Sequence, residues 1–283
     1  MYLKSLEIFQ KLLYNQYMKN CFKISHNADK NIEPIFFHSH DFYEIYLFED
    51  GNVTYYIEDE SYNLKKGDVL VISPGKLHRP VIENGALYER YVLWLYEDYI
   101  NSKKGLSALL SDIETLIAKK KTRLVSFEED KYDYLFAIFN KLTNAYLNGD
   151  EHGFYLSESC IGLIVDELFN ALSSALPMVH SDKLVAQVIA YINENVTNAP
   201  SLDELAKKFF VSKYYLSHKF KEYTKTSVHK YVLMKKINLA KYLLEQGYSP
   251  GESCLQCGFS SYSNFYKEFK NQTGMTPSEY VKR

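Results

Sequence analysis

Long apolar runs are missing from this sequence of 283 residues, and so is a secretion signal. The most apolar stretch, residues 154–176, is interrupted by Glu158, Asp166 and Glu167, which excludes a membrane span. The N-terminal segment carries Lys4 and Glu7 where a signal peptide needs an uninterrupted apolar core. We therefore expect a cytoplasmic protein with no membrane partner.

Cysteine, glycine and proline are also scarce. Four cysteines are too few for a disulfide scaffold, and 12 glycines and 7 prolines exclude a collagen-like or loop-dominated chain. Hydrophobic residues at 46% and charged residues at 24% are typical of a folded globular protein. The excess is aromatic, with 26 Tyr and 17 Phe, which we attribute mainly to core packing.

Charge is unevenly distributed along the chain. Residues 183–283 carry a net charge of +7, whereas residues 1–182 carry −9. This asymmetry indicates two domains, of which the second faces a polyanion such as nucleic acid. A cationic patch on a membrane surface would have the same composition.

The pattern of apolar residues predicts an α+β fold. Residues 35–95 are rich in Val, Ile, Tyr and Phe between polar turns, which predicts short strands in an antiparallel barrel. Residues 155–176 have apolar positions at helical spacing, and this stripe either packs on the barrel or forms a dimer seam. The predicted domains are an antiparallel barrel at 1–105, a helical dimerisation or support region at 106–176, a linker at 177–183 and an all-α domain at 184–283.

The last third of the chain contains an internal repeat with an offset of 49 residues. Ser212, Leu216 and Phe220 in the first copy correspond to Ser261, Phe265 and Phe269 in the second. Each copy predicts a helix-turn-helix unit, at about 202–223 and 250–273. In the first, Ser201 and Glu204 form a capping box.

The second helix of each unit has an outward side of basic and hydrogen-bonding residues, which suits the major groove of DNA. The outward residues are Lys213, Tyr214, Ser217, His218 and Lys221 in the first unit and Ser263, Asn264 and Lys267 in the second.

Residues 202–280 resemble the DNA-binding domain of the AraC family of transcription regulators. The matching pieces are LDELAKKFFVSKYYLSHKFKEYT, LAKYLL and CGFSSYSNFYKEFKNQTGMTPSEY. The resemblance implies two helix-turn-helix units joined by a long helix at about 227–246, with promoter DNA and RNA polymerase as partners. It implies base contacts at Tyr214, Ser217, His218, Ser263, Asn264 and Lys267, and phosphate contacts at Lys221, Lys236 and Lys270.

The sequence departs from the family pattern at a few positions. Phe210 occupies a turn position that is often glycine, and Lys225 stands where the second unit has Gly274. Pro250 and Ser253 replace branched apolar residues, so we expect the second unit to be less well packed and to contribute less to specificity.

The first domain carries a motif similar to that of the cupin barrel. His38, His40 and Glu44, followed by Gly51, match its first part, and His78 approximates its second. Because positions 38, 40 and 44 share parity, they are predicted to point to one face of a strand. In metal-binding cupins these histidines and the glutamate are ligands, and the set suits Mn, Fe, Ni or Zn.

Sensor domains of the AraC family often keep this motif without a catalytic metal, and we expect a ligand pocket with no metal or cofactor. The predicted ligand-binding residues are His38, His40, Phe42, Glu44, Tyr46 and His78. Aromatic rings beside polar groups suit a sugar or a similar polar ligand. Alternatively, Phe42, Tyr46 and Phe48 simply fill the barrel. The resemblance implies carbohydrate as the effector class.

The predicted function is a homodimeric, sequence-specific transcription regulator that responds to a small molecule and is not an enzyme. One alternative is a metal-dependent cupin enzyme, an isomerase or dioxygenase, fused to a DNA-binding module. Another is a barrel that binds no ligand and serves only for dimerisation. Cys254 and Cys257 resemble half a zinc site, but no second pair accompanies them, and we expect buried thiols.

Overall fold

The structure is a computed structural model that describes residues 18–30, 32–83, 85–174 and 183–282. These residues form two compact units. The first unit contains the described residues up to 174, except Phe36–Ser39 and Leu77–Arg79, which group with the second unit at 183–282. Residues 177–182 of the predicted linker lie outside the described residues.

The described chain begins in a helix, α1, that covers residues 18–21, and then alternates between strands and helices up to residue 174. The elements that follow are β1 (Phe22–Asp29), β2 (Tyr43–Asp50), β3 (Val53–Ile57), β4 (Glu60–Asn63), β5 (Asp68–Ile72), β6 (His78–Ile82), β7 (Tyr88–Leu95), α2 (Glu97–Ser102), α3 (Lys104–Lys120), β8 (Leu124–Ser126), α4 (Glu129–Asn148) and α5 (Glu151–Ser174).

The strands form two sheets, in the orders β1-β7-β2-β5-β8 and β4-β3-β6. Strand β2 is buried on both faces because its side chains alternate between two apolar clusters. Tyr46 and Phe48 pack with residues of β3 and β4, whereas Ile45 and Leu47 pack with the helices. The predicted antiparallel sheet domain is confirmed. Among the described residues it consists of two sheets around one apolar cluster rather than one closed cylinder.

The apolar stripe on α5 is part of the interior of the first unit. Its residues are buried in the cluster that includes α3, α4 and the outer side of the five-stranded sheet: Ile161, Ile164, Val165, Leu168 and Leu172. Of the two predicted roles, the stripe therefore covers the sheet. It is not available as a dimer seam.

The second unit is helical throughout its main part. Its elements are α6 (Lys183–Glu194), α7 (Leu202–Lys208), α8 (Lys213–Thr224), α9 (Val228–Glu245), α10 (Pro250–Gln256), α11 (Tyr262–Thr273) and α12 (Pro277–Tyr280). The long helix predicted at 227–246 is α9, with Ser227 as N-cap and Gln246 as C-cap.

Side-chain caps explain why these short helices begin where they do. The predicted capping box of Ser201 and Glu204 is present, and Ser212 and Ser261 cap α8 and α11 as predicted. A second box, formed by Ser249 and Glu252, begins α10, with Pro250 at its first position. Each cap satisfies a backbone N–H that has no partner within the helix.

The positions that lack the expected glycine keep the backbone conformation that glycine would favour. Phe210 has φ +55° and Lys225 has φ +53°, both left-handed. In the second helix-turn-helix unit, the corresponding turn position is Gly258 at φ +70°, and the corresponding helix end is Gly274 at φ +76°. Both helix-turn-helix units therefore have a left-handed residue at these two positions, and the first forms it with side chains that tolerate it poorly, although the turn of the second is one residue longer.

Candidate functional site

Glu44 is the centre of a polar cluster in the first unit. It lies on β2, is only 6% exposed, and accepts a 2.9 Å hydrogen bond from Nε1 of Trp94 and a 3.2 Å hydrogen bond from the Tyr55 hydroxyl. The Nε2 atom of His40 lies 3.4 Å from its Oε2. Burial, followed by the neighbouring Glu44 carboxylate, raises the pKa of Tyr55 well above its ordinary value, so the phenol remains a donor.

Aromatic rings border this carboxylate. The rings of His40 and Phe42 are stacked, with centroids 3.8 Å apart and planes within 4°. Phe42 also contacts Trp94 at 4.9 Å and Tyr96 at 5.3 Å between ring centroids. An aromatic wall beside a fixed hydrogen-bond acceptor is the arrangement that orients a small polar ligand.

The two histidines of the first motif do not share a strand. Strand β2 begins at Tyr43, so the predicted common parity of positions 38, 40 and 44 is wrong. His38 instead forms an isolated antiparallel bridge with His78, and their ring centroids are 4.4 Å apart. A bend at residues 41–42 directs His40 toward Glu44.

Within the described residues, His40, Glu44 and His78 are the group that could hold a metal ion, since one ligand atom of each lies within 4.8 Å of the others. His38 is not in this group. Nδ1 of His40 donates to the Phe42 carbonyl at 2.9 Å, since a carbonyl oxygen only accepts. The other ring nitrogen, Nε2, would therefore be the one to bind a metal. Two imidazoles and a carboxylate are donors that fit a divalent transition metal.

Tyr46 lies deeper than the other predicted ligand-binding residues. Its hydroxyl donates to that of Tyr88 at 2.9 Å, and both side chains are buried in the apolar cluster with Phe48. Tyr46 and Phe48 thus fill the space between the sheets, as the alternative interpretation held for them.

Trp94 and Tyr55 were not predicted as site residues. Trp94 is the single tryptophan of the chain and lies opposite Glu44 in the β2–β7 pairing. A single tryptophan in the sequence was a signal that could have marked Trp94 as a site residue. Its contact with Glu44 could not be predicted, because local patterns do not reveal the strand register between residues 50 positions apart.

In the second unit, the residues predicted to face DNA lie on the exposed sides of α8 and α11, while Leu216, Phe220, Phe265 and Phe269 are buried beneath them. The exposed residues are Lys213, Tyr214, Ser217, His218, Lys221, Ser263, Asn264, Lys267 and Lys270.

Side chains on and beside α8 and α11 form further contacts or are exposed. Nζ of Lys213 forms a 2.8 Å ion pair with Asp203, and Tyr214 and His218 are neighbours one turn apart. Tyr262 and Tyr266 are exposed on α11 and were missed, although the tyrosine excess was a signal for them.

Lys236 differs from the other predicted phosphate contacts. Its Nζ donates a 2.6 Å hydrogen bond to the Gly258 carbonyl.

The cysteine pair and the helices add two plain findings. Cys254 and Cys257 are buried in the apolar cluster of α9–α11, as expected, and burial raises the pKa of Cys257 to about 12. In the part of the chain that the structure describes, every helix is too short or too polar to cross a membrane.

Comparison with known proteins identifies two regions of the chain. Residues 32–98 match the AraC-like ligand binding domain, and residues 205–283 match a helix-turn-helix domain. The chain is 22% identical over 258 residues to the HTH-type transcriptional regulator YdiP of Escherichia coli strain K12, covering 84% of this chain and 77% of that protein. It is 22% identical over 275 residues to the HTH-type transcriptional activator RhaR of Escherichia coli O139:H28, covering 89% of each.

Among solved structures, the DNA-binding domain of AdpA in complex with a target DNA is 27% identical. The match covers 36% of this chain and 92% of that one, with a TM-score of 0.34.

Proposed function

Because the chain belongs to the AraC family of DNA-binding transcription regulators, we propose that its first unit binds a carbohydrate effector at Glu44 and that its second unit contacts promoter DNA through α8 and α11. The single observation that carries the effector proposal is the Glu44 carboxylate held by Trp94 and Tyr55 beside the stacked ring of Phe42. A carboxylate accepts hydrogen bonds from sugar hydroxyls, and aromatic faces pack on the apolar faces of sugar rings.

A panel of neutral monosaccharides tests this proposal on the full-length chain. One of them should raise the midpoint of thermal unfolding, because a ligand that binds only the folded state stabilises it. The shift should disappear in Glu44→Gln and remain in Glu151→Gln, an exposed glutamate at the start of α5. A shift of equal size in Glu44→Gln would contradict a site at this carboxylate.

DNA binding by both helix-turn-helix units is supported by the paired exposed faces of α8 and α11. At about 1.5 Å per residue, the 18 residues of α9 span about 27 Å, close to one turn of B-DNA at about 34 Å. One protomer therefore reaches two successive major-groove segments on one side of the duplex. Effector binding changes DNA affinity or the contact with RNA polymerase by favouring one of two states of the protein.

The homodimer is assigned to the exposed side of α5 rather than to its buried stripe. Tyr155 is 61% exposed and Leu163 is 45% exposed, with Gly162 between them leaving open space for a second helix. Sedimentation of the full-length chain tests this: the wild type should sediment as a dimer and Leu163→Glu as a monomer. A dimer that survives Leu163→Glu and Tyr155→Glu would place the interface elsewhere.

A divalent metal ion is a second candidate occupant, favoured by the convergence of His40, Glu44 and His78. A metal held there would act as a Lewis acid toward a bound oxygen. Metal analysis of the purified chain distinguishes the two candidates. Stoichiometric Mn, Fe, Ni or Zn that is lost in His40→Ala would favour the metal-dependent enzyme, and its absence from the wild type after metal-supplemented growth would favour the sugar sensor.

A further inference from the structure

Lys236 lies near the middle of α9, where this helix changes partners. Tyr231, five residues earlier, contacts Phe220 of α8 with ring centroids 5.6 Å apart. From Ile237 onward, the buried residues of α9 pack with α10 and α11 in a separate apolar cluster. Lys236 therefore stands at the boundary between the first and the second helix-turn-helix unit.

The ammonium group of Lys236 is hydrogen-bonded to the second helix-turn-helix unit. It donates a 2.6 Å hydrogen bond to the carbonyl of Gly258 and lies 5.5 Å from the ring centroid of Phe259. Gly258 directly follows Cys257, the C-cap of α10, so its carbonyl lies just beyond the C-terminal end of that helix. A charge-assisted hydrogen bond of this kind is stronger and shorter than one between neutral groups. Burial lowers the pKa of Lys236, consistent with an ammonium drawn partly out of water.

Gly258 also contacts the segment that leads into the first helix-turn-helix unit. A Cβ built on Gly258 would lie 1.8 Å from the carbonyl oxygen of Thr197 and 3.3 Å from Nζ of Lys236. Thr197 lies between α6 and α7. Gly258 thus brings together α9, the turn of the second helix-turn-helix unit and the segment that enters the first.

We propose that Lys236 is a positioning residue that sets the angle of the second helix-turn-helix unit on α9, and with it the separation of the two recognition helices. The apolar cluster holds α10 and α11 on α9, but apolar contact is non-directional and permits small rotations. The hydrogen bond from Lys236 to Gly258 is directional and lies at one end of the cluster, where it resists rotation. The chain would then select DNA sites by the spacing of their two halves as well as by their bases.

This proposal rests on the proposed contact of both α8 and α11 with DNA, and its main test uses the full-length chain. The probe is the consensus duplex that the wild type selects from a random-sequence library, with versions that have one base pair inserted or deleted between the half-sites. The wild type should lose about tenfold in affinity on either change, the size of an ordinary mismatch penalty. In Lys236→Met, which keeps the apolar stem, this penalty should fall below about threefold, with an unchanged salt dependence of binding.

Two results would overturn the proposal. A phosphate contact at Lys236 would leave the spacing penalty intact and lower the slope of log K against log salt by about 0.9. A wild-type penalty retained in full by Lys236→Met would show that the hydrogen bond does not set the spacing. Lys241→Met, on the same helix, is the matched control and should behave as the wild type.

A second measurement needs no DNA and separates the proposal from the function of α11. Backbone amide exchange in the free chain should become faster in residues 250–261 in Lys236→Met, but not in residues 213–224 and not in Lys241→Met. Exchange at 250–261 equal to that of the wild type would refute the positioning role even if α11 did not contact DNA.

Discussion

Trp94 and Glu44 face each other across the antiparallel pair of β7 and β2, and the indole Nε1 of Trp94 donates a 2.9 Å hydrogen bond to Oε2 of Glu44. The single tryptophan of the chain thereby fixes the orientation of a buried carboxylate. The other carboxylate oxygen accepts from Tyr55 at 3.2 Å. The acceptor proposed for the effector is therefore preorganised by neighbouring strands.

Glu44→Gln should abolish the response to the effector and change basal DNA affinity by less than about twofold, because the DNA-contacting side chains belong to the other unit. The measurement is DNA binding of the full-length variant with and without the monosaccharide that stabilises the wild type. Loss of basal DNA binding in a folded, dimeric Glu44→Gln protein would instead assign Glu44 a structural or coupling role.

Trp94→Phe should lower the free energy of unfolding of the first unit by about 1–3 kcal/mol. It keeps an aromatic ring but removes one donor from a buried carboxylate, which is left with less compensation for its lost hydration. Urea unfolding followed by circular dichroism measures the change. Because Glu44 is the stated cause, the same substitution in a Glu44→Gln background should cost less, and equal costs in both backgrounds would argue against it.

Asn264→Ala and Lys270→Ala should weaken DNA binding in different ways. A paired contact of Asn264 with a base contributes about 1–3 kcal/mol of discrimination, so its loss should mainly reduce the preference for the selected duplex over altered ones, as should His218→Ala. Lys270→Ala should weaken all sequences alike and lower the salt slope by about 0.9. Anisotropy titrations at several salt concentrations measure both. Footprints confined to one major groove and insensitive to Asn264→Ala would mean that only the first helix-turn-helix unit contacts DNA.

Phe210→Gly and Gly258→Ala should change stability in opposite directions. Phe210 is left-handed and 96% exposed, so glycine removes backbone strain without losing packing and should raise the free energy of unfolding by up to about 1 kcal/mol. An alanine Cβ at Gly258 would lie 1.8 Å from a backbone oxygen that no rotamer change can move, and should cost about 3 kcal/mol or more. Thermal unfolding of both variants is the test, and a destabilised Phe210→Gly would show that this side chain contributes contacts of its own.

Three capping boxes, of which the third joins Thr276 and Glu279 at the start of α12, should make the helical unit at 183–282 sensitive to acid. Hydrogen bonds from their N-cap residues lower the pKa values of Glu204, Glu252 and Glu279 below the ordinary 4.5. A lowered pKa in the folded state contributes stability that is present above pH 4.5 and is lost as the pH falls through the folded-state pKa.

Replacing all three glutamates by glutamine keeps neutral caps and should flatten this acid dependence. Circular dichroism at 222 nm between pH 3 and 6 should show the difference between variant and wild type. Trp94 fluorescence, which follows the first unit alone, should not.

Local patterns were sufficient for much of this protein. The repeat of Ser212–Phe220 at Ser261–Phe269 identified two helix-turn-helix units, and the capping box of Ser201 and Glu204 located a helix start within one residue. The alternation along β2 is likewise a local pattern, with Tyr46 and Phe48 on one face and Ile45 and Leu47 on the other. Each of these signals acts over a few residues, where backbone geometry relates sequence spacing directly to direction in space.

Tertiary structure decided the rest. The strand begins at Tyr43, so His40 reaches Glu44 through a bend and not through strand parity. Trp94 meets Glu44, and Lys236 meets Gly258, only because sheet register and helix packing bring together residues 50 and 22 positions apart. The α5 stripe has the same sequence pattern whether it covers a sheet or a second protomer, because burial depends on which apolar surface is nearest once the chain has folded.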